Sequence, residues 1–525
     1  MTEAPPNVEG QLEGPELFLA LVGAIGTDLE SVSAITGEFL KEVNYTTCPE
    51  PIRLSKLLHD IPGWEYLSRI HEEEIRYKEH MDKGNELRQK LGQGDALALE
   101  AIGAIRKIRS TVTRAEFTPA SRRAYILHSL KHPKEVETLR KVYGSSFLLV
   151  ATYSPHEKRL QHLASKIAGS HHYLQATRYR GDAESLIQRD EAEPEVELGQ
   201  NVRDTFPMAD VFIDASDPAR LRKSIERFVR LIFGDTFLTP TRDECGMFHA
   251  RAAALRSAAL SRQVGAVVST DDGDIIAVGT NEVPKAGGGL YWCDDPSDQR
   301  DCVLGYDPSD RMKRNLLADI LKRLGKHKWL NEEIAKIDID NLVDTALGGG
   351  PSSLMKGSQL KNLIEFGRSV HAEMAALIDA ARRGVAARGC TLYTTTFPCH
   401  DCTKHIVAAG IRKVVYIEPY PKSLAPELYL DSIAVDGYGG GLDQVSFEPF
   451  VGIAPRRYMD LFEMGRRKEE DGTVTLWDKV KAFPRLAESF PLAYVVREQK
   501  EVELFRQKMA EKGLRPNTRK EVGDA

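Results

Sequence analysis

The chain has 525 residues, 42% of them hydrophobic, and a formal net charge of −6, which predicts several domains with sizeable cores and no general attraction to nucleic acid or membranes. Its start lacks the basic and apolar regions of a signal peptide, and no apolar run approaches the ~18 residues that span a bilayer, so we expect a cytoplasmic protein. Seven cysteines in so long a chain do not form a disulfide framework, so a closely spaced pair favours metal or redox chemistry.

The first predicted unit alternates apolar strands with helices. "ELFLALVGAIGTDLESV" (16–32) predicts a strand, a glycine turn and a helix, the arrangement of a phosphate-binding loop, with Gly23 and Gly26 as the anion-binding residues. The lysine that defines such a loop is missing, because Thr27 and Asp28 follow Gly26. "SSFLLVATYS" and "MADVFIDASD" predict further buried strands next to helices, so the pattern indicates a doubly wound parallel sheet.

A basic stretch, "RKIRSTVTRAEFTPASRR" (106–123), has six Arg or Lys residues and one acid. It is typical of a solvated helix face, and it also has the charge to meet nucleotide phosphates or RNA. Both interpretations stay open at this point.

The second predicted unit opens with a hairpin. "SRQVGAVVSTDDGDIIAVGTNEVP" (261–284) predicts a strand, an Asp-Gly turn and a strand, with Asn281 at the end. An insert over about 285–366 follows, with a helical stretch and a flexible "GGGPSS", and predicts a lid or an oligomer contact. We expect Cys293 and Cys302 within it to be unligated thiols, the alternative being a second metal site.

Two predicted helix starts carry the residues with metal chemistry. "SVHAEMAALIDAARRG" predicts a helix capped by Ser369, with His371 and Glu373 in its first turn. "CTLYTTTFP" predicts a strand, and "CHDCTKHIVAAG" a second helix that begins near Cys399 and Cys402. Helix starts on either side of one strand bring His371, Cys399 and Cys402 together as ligands of a Zn²⁺ ion.

Three protein ligands leave the fourth tetrahedral position open, as in catalytic zinc sites. Glu373 is then the general acid and base, because it lies beside the ligands without being one. Two alternatives remain: a structural zinc that recruits a fourth ligand, or a dithiol redox pair. The fourth ligands available nearby are Cys390, His400 and His405.

The pattern H-x-E … P-C-x-x-C is the signature of zinc deaminases, and together with the hairpin the sequence resembles the cytidine and deoxycytidylate deaminase superfamily. The resemblance implies hydrolytic replacement of a ring amine by oxygen, and places Asn281 against the sugar or base of the substrate. A turn residue is the alternative for Asn281. In "EPYPKS", Tyr420 and Lys422 are candidates for the base and the phosphate, the alternative being a solvated surface.

The first unit resembles P-loop nucleotide kinases and dephospho-coenzyme A kinases with a degenerate phosphate loop. Kinase-like and deaminase units in one chain resemble the bacterial anti-phage dCTP/dCMP deaminases. That resemblance implies conversion of dCTP and dCMP to dUTP and dUMP with release of ammonia, depletion of dCTP during infection, and in some members inhibition by a small RNA. We also expect a homo-oligomer.

The resulting hypothesis is an α/β protein with three segments. Residues 1–238 form a P-loop kinase-like parallel-sheet domain with a regulatory role. Residues 239–460 form a cytidine deaminase-like α/β/α domain with a mixed sheet, and 461–525 a helical extension. Two other functions remain open: a deaminase of tRNA or single-stranded DNA, and a regulatory nucleotide- or RNA-binding protein with an inactive deaminase domain.

Overall fold

The structure is a computed structural model that describes residues 14–115, 117–173, 175–191, 193, 196, 198–348, 354–355, 358–420, 422–435, 443–487 and 491–515. Its contacts divide the chain into two compact units. The first comprises the described residues up to Glu244 and from Val451 onward, and the second is Cys245–Phe450. The C-terminal residues therefore belong to the first unit. The sequence predicts a separate helical extension over 461–525. None of the helices in these ranges combines the length and apolar character needed to cross a membrane.

The strands and helices alternate along most of the chain. The strands are β1 (Leu17–Val22), β2 (Thr46–Thr47), β3 (Ile52–Arg53), β4 (Arg123–His128), β5 (Phe147–Tyr153), β6 (Val211–Asp214), β7 (Gly265–Ser269), β8 (Ile275–Thr280), β9 (Thr391–Thr396), β10 (Lys413–Glu418), β11 (Ile433–Val435), β12 (Val445–Pro449) and β13 (Gly452–Ile453). The α-helices are α1 (Leu29–Glu42), α2 (Leu54–Leu57), α3 (Glu73–Leu91), α4 (Ala96–Thr113), α5 (Pro133–Tyr143), α6 (His156–Ser170), α7 (Arg180–Glu191), α8 (Val202–Thr205), α9 (Pro218–Ile232), α10 (Arg242–Ala254), α11 (Asp301–Leu304), α12 (Pro308–Lys326), α13 (Ile339–Leu347), α14 (Ala372–Arg382), α15 (His400–Ala408), α16 (Ala425–Leu428), α17 (Tyr458–Phe462) and α18 (Pro491–Glu511).

The sheet of the first unit has the order β13-β6-β5-β1-β4-β2, with β3 also paired to β4. Strand β1 lies at its centre, parallel to β4 on one side and to β5 on the other. Every residue of β1 is buried, as expected for a parallel strand that is covered on both faces. The predicted parallel sheet is confirmed, and β13 adds an antiparallel strand at one edge.

The basic stretch 106–123 spans the end of α4 and the approach to β4. Arg109 is completely buried, and its guanidinium pairs with Glu16 at 2.8 Å and with Glu498 of α18 at 2.5 Å. Arg106 is also buried. The prediction of a solvated or phosphate-binding face is therefore wrong for these two arginines, because both side chains are buried within the unit.

The second unit has a mixed sheet of order β11-β12-β10-β9-β7-β8. Strands β7 and β8 form the predicted antiparallel hairpin, β9 is antiparallel to β7, and β9, β10, β12 and β11 pair in parallel. Helix α14 lies very close to this sheet: a Cβ atom on Gly279 of β8 would sit 2.1 Å from the carbonyl oxygen of Ala372. Glycine is needed there because any side chain would push α14 away.

The insert forms helices α11 to α13 around a small core that contains Leu317, Val343 and Ala346. Apart from Gly348, the "GGGPSS" segment lies outside the described residues, so its predicted flexibility stays a prediction. Cys293 and Cys302 are exposed free thiols, and no group of potential metal ligands in the described chain contains them.

Candidate active site

Helix α14 starts at Ala372, and His371 is its N-cap residue, with φ −67° and ψ 153°. The sequence predicted an earlier start, capped by Ser369, and this prediction is wrong. The physical reason is that Val370 pairs with Glu282 in an extended bridge through two backbone hydrogen bonds of 3.0 and 3.3 Å. The helix can begin only after the chain leaves this bridge, so His371 is the last extended residue before α14.

The two cysteines lie at the start of α15, directly after strand β9. Cys399 is the N-cap residue, and its sulfur accepts a hydrogen bond from the backbone N–H of Cys402 at 3.4 Å. The N-terminus of a helix favours negative charge, so this position stabilises a thiolate. Strand β9 and the start of helix α15 together determine the positions of the two sulfur atoms.

The side chains of His371, Cys399 and Cys402 converge. The Nδ1 atom of His371 is 3.3 Å from the sulfur of Cys399 and 3.3 Å from the sulfur of Cys402. All three potential ligand atoms lie within 4.8 Å of one another. Zinc bonds of ~2.3 Å to sulfur and ~2.0 Å to nitrogen give ligand separations of roughly 3.5–3.8 Å in a tetrahedron. The three residues therefore fit a zinc ion with small adjustments.

No fourth side-chain ligand joins this group in the described part of the chain. Cys390, His400 and His405, the alternatives that a structural zinc site required, lie outside it. A dithiol redox pair would not need an imidazole nitrogen in contact with both sulfurs. The geometry thus favours a site with three protein ligands and one open position, which is the arrangement of catalytic zinc.

In the metal-free protein, hydrogen bonds among Cys399, His371 and Cys402 shift the pKa values of all three side chains. The Cys402 thiol and then the His371 ring stabilise the Cys399 thiolate and lower its pKa to about 4. The bond to Cys399 in turn raises the pKa of His371 to about 9. The hydrogen bond to Cys399, followed by burial and the negative charge of Glu373, raises the pKa of Cys402.

Glu373 lies in the first turn of α14 and is only 4% exposed. One carboxylate oxygen is 3.4 Å from the sulfur of Cys402, which donates to it. Burial, followed by the negative charge of Cys399, raises the pKa of Glu373 to about 7. A carboxyl group with such a pKa can both accept and donate a proton near neutral pH.

A cavity of 310 Å³ in the second unit borders this group of residues. His371, Glu373 and Cys399 contribute to its lining, with the aromatic rings of Phe397 and Tyr420 nearby. A cavity of this size is within the range of small-molecule sites, which are about 300–1,000 Å³. His371, Cys399 and the carboxyl group of Glu373 therefore border a space large enough for a small ligand.

Besides Arg368, four cationic side chains line the same cavity: Arg262, Lys313, Lys361 and Lys422. Arg262 precedes strand β7, and Lys313 lies on helix α12. Lys361 lies near the end of the insert, and Lys422 lies in the loop after β10. Lys422 lies close enough to the other three that burial, followed by their charges, lowers its pKa. Such mutual repulsion is relieved when an anion binds.

Two other carboxylates line the cavity, and each already has an ion-pair or hydrogen-bond partner. Asp301 pairs with Arg368 at 2.7 Å, and Asp307 accepts a hydrogen bond of 2.8 Å from the backbone N–H of Ser309 at the start of α12. Arg262 lies 3.8 Å from the Glu418 carboxylate and Lys313 lies 3.6 Å from the Asp310 carboxylate, so the charges of these two cations are partly compensated. The cavity therefore brings His371, Glu373 and Cys399 together with a group of cationic side chains.

The predicted substrate residues Asn281, Tyr420 and Lys422 all line this cavity. The Asn281 side chain accepts from the N–H of Val264 at 2.7 Å and donates to the carbonyl of Arg262 at 2.8 Å. It thus fixes the segment that presents Arg262. Direct contacts of these three residues with a substrate stay a prediction.

Gly23 and Gly26 lie in the first unit, in the loop between β1 and α1. Gly26 has φ +87°, and a Cβ atom there would be 2.6 Å from the carbonyl oxygen of Arg159. A Cβ atom on Gly23 would be 3.2 Å from the carbonyl oxygen of Thr152. Close backbone approach within the unit therefore explains both glycines without a ligand, and their predicted role in binding an anion stays a prediction.

No pattern in the sequence indicated that Arg262, Lys313 or Lys361 lines a site. Lysines and arginines are common on surfaces, and these three lie up to about a hundred positions apart in the sequence. The stretch "MKRNLLADILKRLGK" is rich in basic residues. This composition is typical of the solvated face of an amphipathic helix, so it did not by itself indicate a binding site.

Comparison with known proteins bears on this same unit. Residues 240–418 match the cytidine and deoxycytidylate deaminase zinc-binding region. The deoxycytidylate deaminase of Enterobacteria phage T2 is 48% identical over 54 residues, which are 10% of this chain and 29% of that protein. The ComE operon protein 2 of Bacillus subtilis strain 168 is 43% identical over 53 residues, 10% of this chain and 28% of that protein.

The crystal structure of the dCMP deaminase from cyanophage S-TIM5 aligns at 20% identity, covering 41% of this chain and 100% of its own, with a TM-score of 0.21. That score is too low to bear on the fold. The chain spans less than a third of the length of the two relatives named above. Residues 240–418 are thus similar to the zinc-binding region of cytidine and deoxycytidylate deaminases.

Proposed function

We propose that this protein is a zinc-dependent hydrolytic deaminase of free deoxycytidine nucleotides, which converts dCTP and dCMP to dUTP and dUMP and releases ammonia. The observation that carries the proposal is the position of Glu373, buried beside the group His371, Cys399 and Cys402 at the border of a ligand-sized cavity. A binding protein has no use for a buried proton carrier beside an open metal position.

Each residue has a defined task in this reaction. His371 through Nδ1, with Cys399 and Cys402 through sulfur, would hold the zinc ion, whose chemical contribution is Lewis acidity that activates water at neutral pH. Glu373 accepts a proton from the attacking water and donates it to the ring nitrogen, then takes the proton of the hydroxyl now bound to the ring carbon and passes it to the departing amine. The carbon–nitrogen bond to the amine breaks, a carbon–oxygen bond forms, and water and cytosine yield uracil and ammonia.

The cationic region supports a nucleotide as the substrate. Arg262, Lys313, Lys361 and Lys422 line the cavity that contains Glu373, and phosphate oxygens accept charge-assisted hydrogen bonds from such side chains. Four cations exceed what a single phosphate needs, which favours dCTP as well as dCMP. A free nucleoside would leave their repulsion unrelieved.

The biological role follows from the resemblance to anti-phage dCTP/dCMP deaminases. We propose that the protein depletes dCTP in the cytoplasm during infection, that it acts as a homo-oligomer, and that a small RNA inhibits it. Deamination of tRNA or single-stranded DNA is less well supported, because Arg106 and Arg109 of the basic stretch are buried and offer no contact to a nucleic-acid backbone.

The test is release of ammonia by the zinc-loaded full-length protein. Its substrates are dCTP, dCMP, deoxycytidine, CTP and a cytosine-containing oligonucleotide, each checked for the uracil product. We expect turnover of dCTP and dCMP, little of deoxycytidine and none of the oligonucleotide. Deamination of the oligonucleotide without that of dCTP or dCMP would overturn the proposal.

A further inference from the structure

Strands β9 and β10 bring two segments of the candidate site side by side. They pair in parallel up to their last residues, and the backbone N–H of Phe397 then donates to the carbonyl of Glu418 at 2.8 Å. The next residue, Pro398, has no N–H, so it cannot extend this pairing. Beyond this point one segment continues into Cys399, and the other continues into the loop that follows Glu418.

One side chain joins these two segments again. The hydroxyl of Ser423, in the loop after β10, donates to the carbonyl of Pro398 at 2.8 Å. Pro398 is buried and directly precedes Cys399. Because a peptide unit is planar, a bond that holds the carbonyl of Pro398 also holds the direction from which the chain enters Cys399.

Ser423 also organises the loop that carries Tyr420 and Lys422. Its backbone N–H donates to the carbonyl of Tyr420 at 2.9 Å. Its hydroxyl oxygen accepts a hydrogen bond of 3.3 Å from the N–H of Ala425, the first residue of α16. Ser423 therefore connects this loop to helix α16 and to the residue before Cys399.

The position of Ser423 separates it from direct contact with a ligand. Tyr420 and Lys422 on one side of the bond, and Cys399 on the other, line the cavity of 310 Å³, whereas Ser423 and Pro398 do not. The hydroxyl can therefore influence a bound molecule only through the residues that it holds in place.

The alternative role for Ser423 is to cap the short helix α16, which needs only the bond to the N–H of Ala425. The hydroxyl has a second and shorter bond, however, to Pro398, which lies 25 positions away in the sequence. Ala425 is completely buried in the core of the second unit, so its packing keeps α16 in place without the cap. The bond to Pro398 is thus the contact that a capping role leaves unexplained.

We propose that Ser423 is a positioning residue that couples the loop carrying Tyr420 and Lys422 to the zinc ligand Cys399. The inference rests on the proposed function, in which this loop meets the nucleotide. Hydrogen bonds outside the ligand set orient the ligands of a metal, and their loss typically weakens metal binding or activity about 10–100-fold. Loss of the Ser423 hydroxyl should therefore affect the metal and the nucleotide together.

The first measurement concerns the metal alone. Competition with a chelator gives the zinc affinity of the full-length protein, and the absorption bands of the cobalt(II)-substituted protein report the geometry of the ligands. We expect Ser423→Ala to bind zinc about tenfold more weakly and to shift the cobalt bands, and Ser423→Thr, which keeps the hydroxyl, to restore both. Ser432→Ala is the matched control, because the Ser432 hydroxyl donates only to the exposed side chain of Asp431 at 2.8 Å, and it should behave as the wild-type protein does.

The second measurement concerns turnover of dCTP. We expect Ser423→Ala to raise KM, because the loop with Lys422 is less well held, and to lower kcat, because Cys399 is displaced. The combined loss in kcat/KM should be about 10–100-fold, and Ser423→Thr should recover most of it. A residue that only caps α16 would change the thermal stability and leave the cobalt bands and kcat as they are.

The proposal is overturned by an unchanged zinc affinity and cobalt spectrum in Ser423→Ala, by an unchanged KM for dCTP, or by failure of Ser423→Thr to restore them. Should Ser423→Ala fail to fold, the comparison of Ser423→Thr with Ser423→Val, which differ in the hydroxyl, decides in its place. Absence of turnover in the wild-type protein would count against the deaminase itself, and the zinc affinity and the cobalt spectrum would still decide the role of Ser423.

Discussion

At the scale of single residues, the site separates metal binding from proton transfer. His371 is the last extended residue before α14, and Glu373 follows in the first turn of that helix. The two side chains thus leave the same helix end, one toward both sulfurs and the other toward Cys402 and the cavity. Removing the carboxyl group should therefore leave the metal ligands in place.

We expect Glu373→Gln to retain about one zinc ion per chain and to lose turnover of dCTP by at least about 10²–10⁴-fold, the usual contribution of general acid–base catalysis. His371→Ala should lose both zinc and activity. Metal content measured by atomic absorption, together with ammonia release, distinguishes the two cases. Near-normal deamination by Glu373→Gln would contradict the assigned proton transfer.

The cations of the insert should determine how strongly the phosphates bind. For Lys313→Glu/Lys361→Glu we expect the KM for dCTP to rise at least about tenfold with a smaller change in kcat, since the contacts are made to the non-reacting end of the substrate. The KM for dCMP should rise less. Lys322→Glu, exposed on the same helix α12 and absent from the cavity lining, is the control. An unchanged KM for dCTP in the double variant would show that the cations serve another purpose.

The site residues that the sequence predicted lie close together along the chain, whereas the contacts that it did not predict join residues far apart in the sequence. His371, Glu373, Cys399 and Cys402 lie at the starts of two helices within 32 positions of one another, so local rules place them. Asp190 lies 165 positions from the amide of Ile25 that it binds, and no local pattern indicates that contact. Long-range partners of this kind, like the cations of the cavity, follow only from the tertiary structure.

At the scale of secondary structure, the approach of β8 to α14 positions the whole site. A Cβ atom on Gly279 would lie 2.1 Å from the carbonyl oxygen of Ala372 and 2.3 Å from the nitrogen of Ala376. Both are backbone atoms that cannot rotate away, and Ala372 directly follows His371. The predicted strands and helices around His371, Cys399 and Cys402 are confirmed apart from the start of α14, but sequence periodicity did not indicate how closely they pack.

We expect Gly279→Ala to destabilise the protein by about 1–3 kcal/mol, the usual cost of overpacking, and to lower its zinc content by displacing the start of α14. Gly325→Ala in α12, whose nearest atom would be Leu330 Cδ1 at 3.8 Å, should be neutral or stabilise by up to about 1 kcal/mol. Urea unfolding and metal analysis of both variants provide the measurement. Normal zinc content and stability in Gly279→Ala would mean that α14 can shift without consequence.

At the scale of the whole chain, α18 is joined to the N-terminal part of its unit through buried charges. Arg109 bridges Glu16 at the start of β1 and Glu498 in α18, and all three are completely buried. Tyr494, also on α18, donates a hydrogen bond of 2.7 Å to Glu16. Glu16 therefore has further donors, whereas Glu498 depends mainly on Arg109.

We expect Arg109→Met to lower the free energy of unfolding by about 3–5 kcal/mol, since it leaves a buried carboxylate without its cation. Burial already raises the pKa of Glu498, and loss of Arg109 raises it further. The destabilisation should thus be largest at neutral pH and shrink as the pH falls toward about 5 and the carboxyl takes up a proton. Lys107→Met, exposed on the same helix, is the control. An equal loss at both pH values would contradict this account.

The division of the chain also constrains the order of events during synthesis. The first unit draws its edge strand β13 and its helix α18 from residues that follow the second unit. A ribosome that adds about 5–20 residues per second completes the second unit on the order of seconds before Glu498 emerges. The nascent second unit can therefore fold while Arg109 still lacks one of its two carboxylates and before the last helix of the first unit has been synthesised.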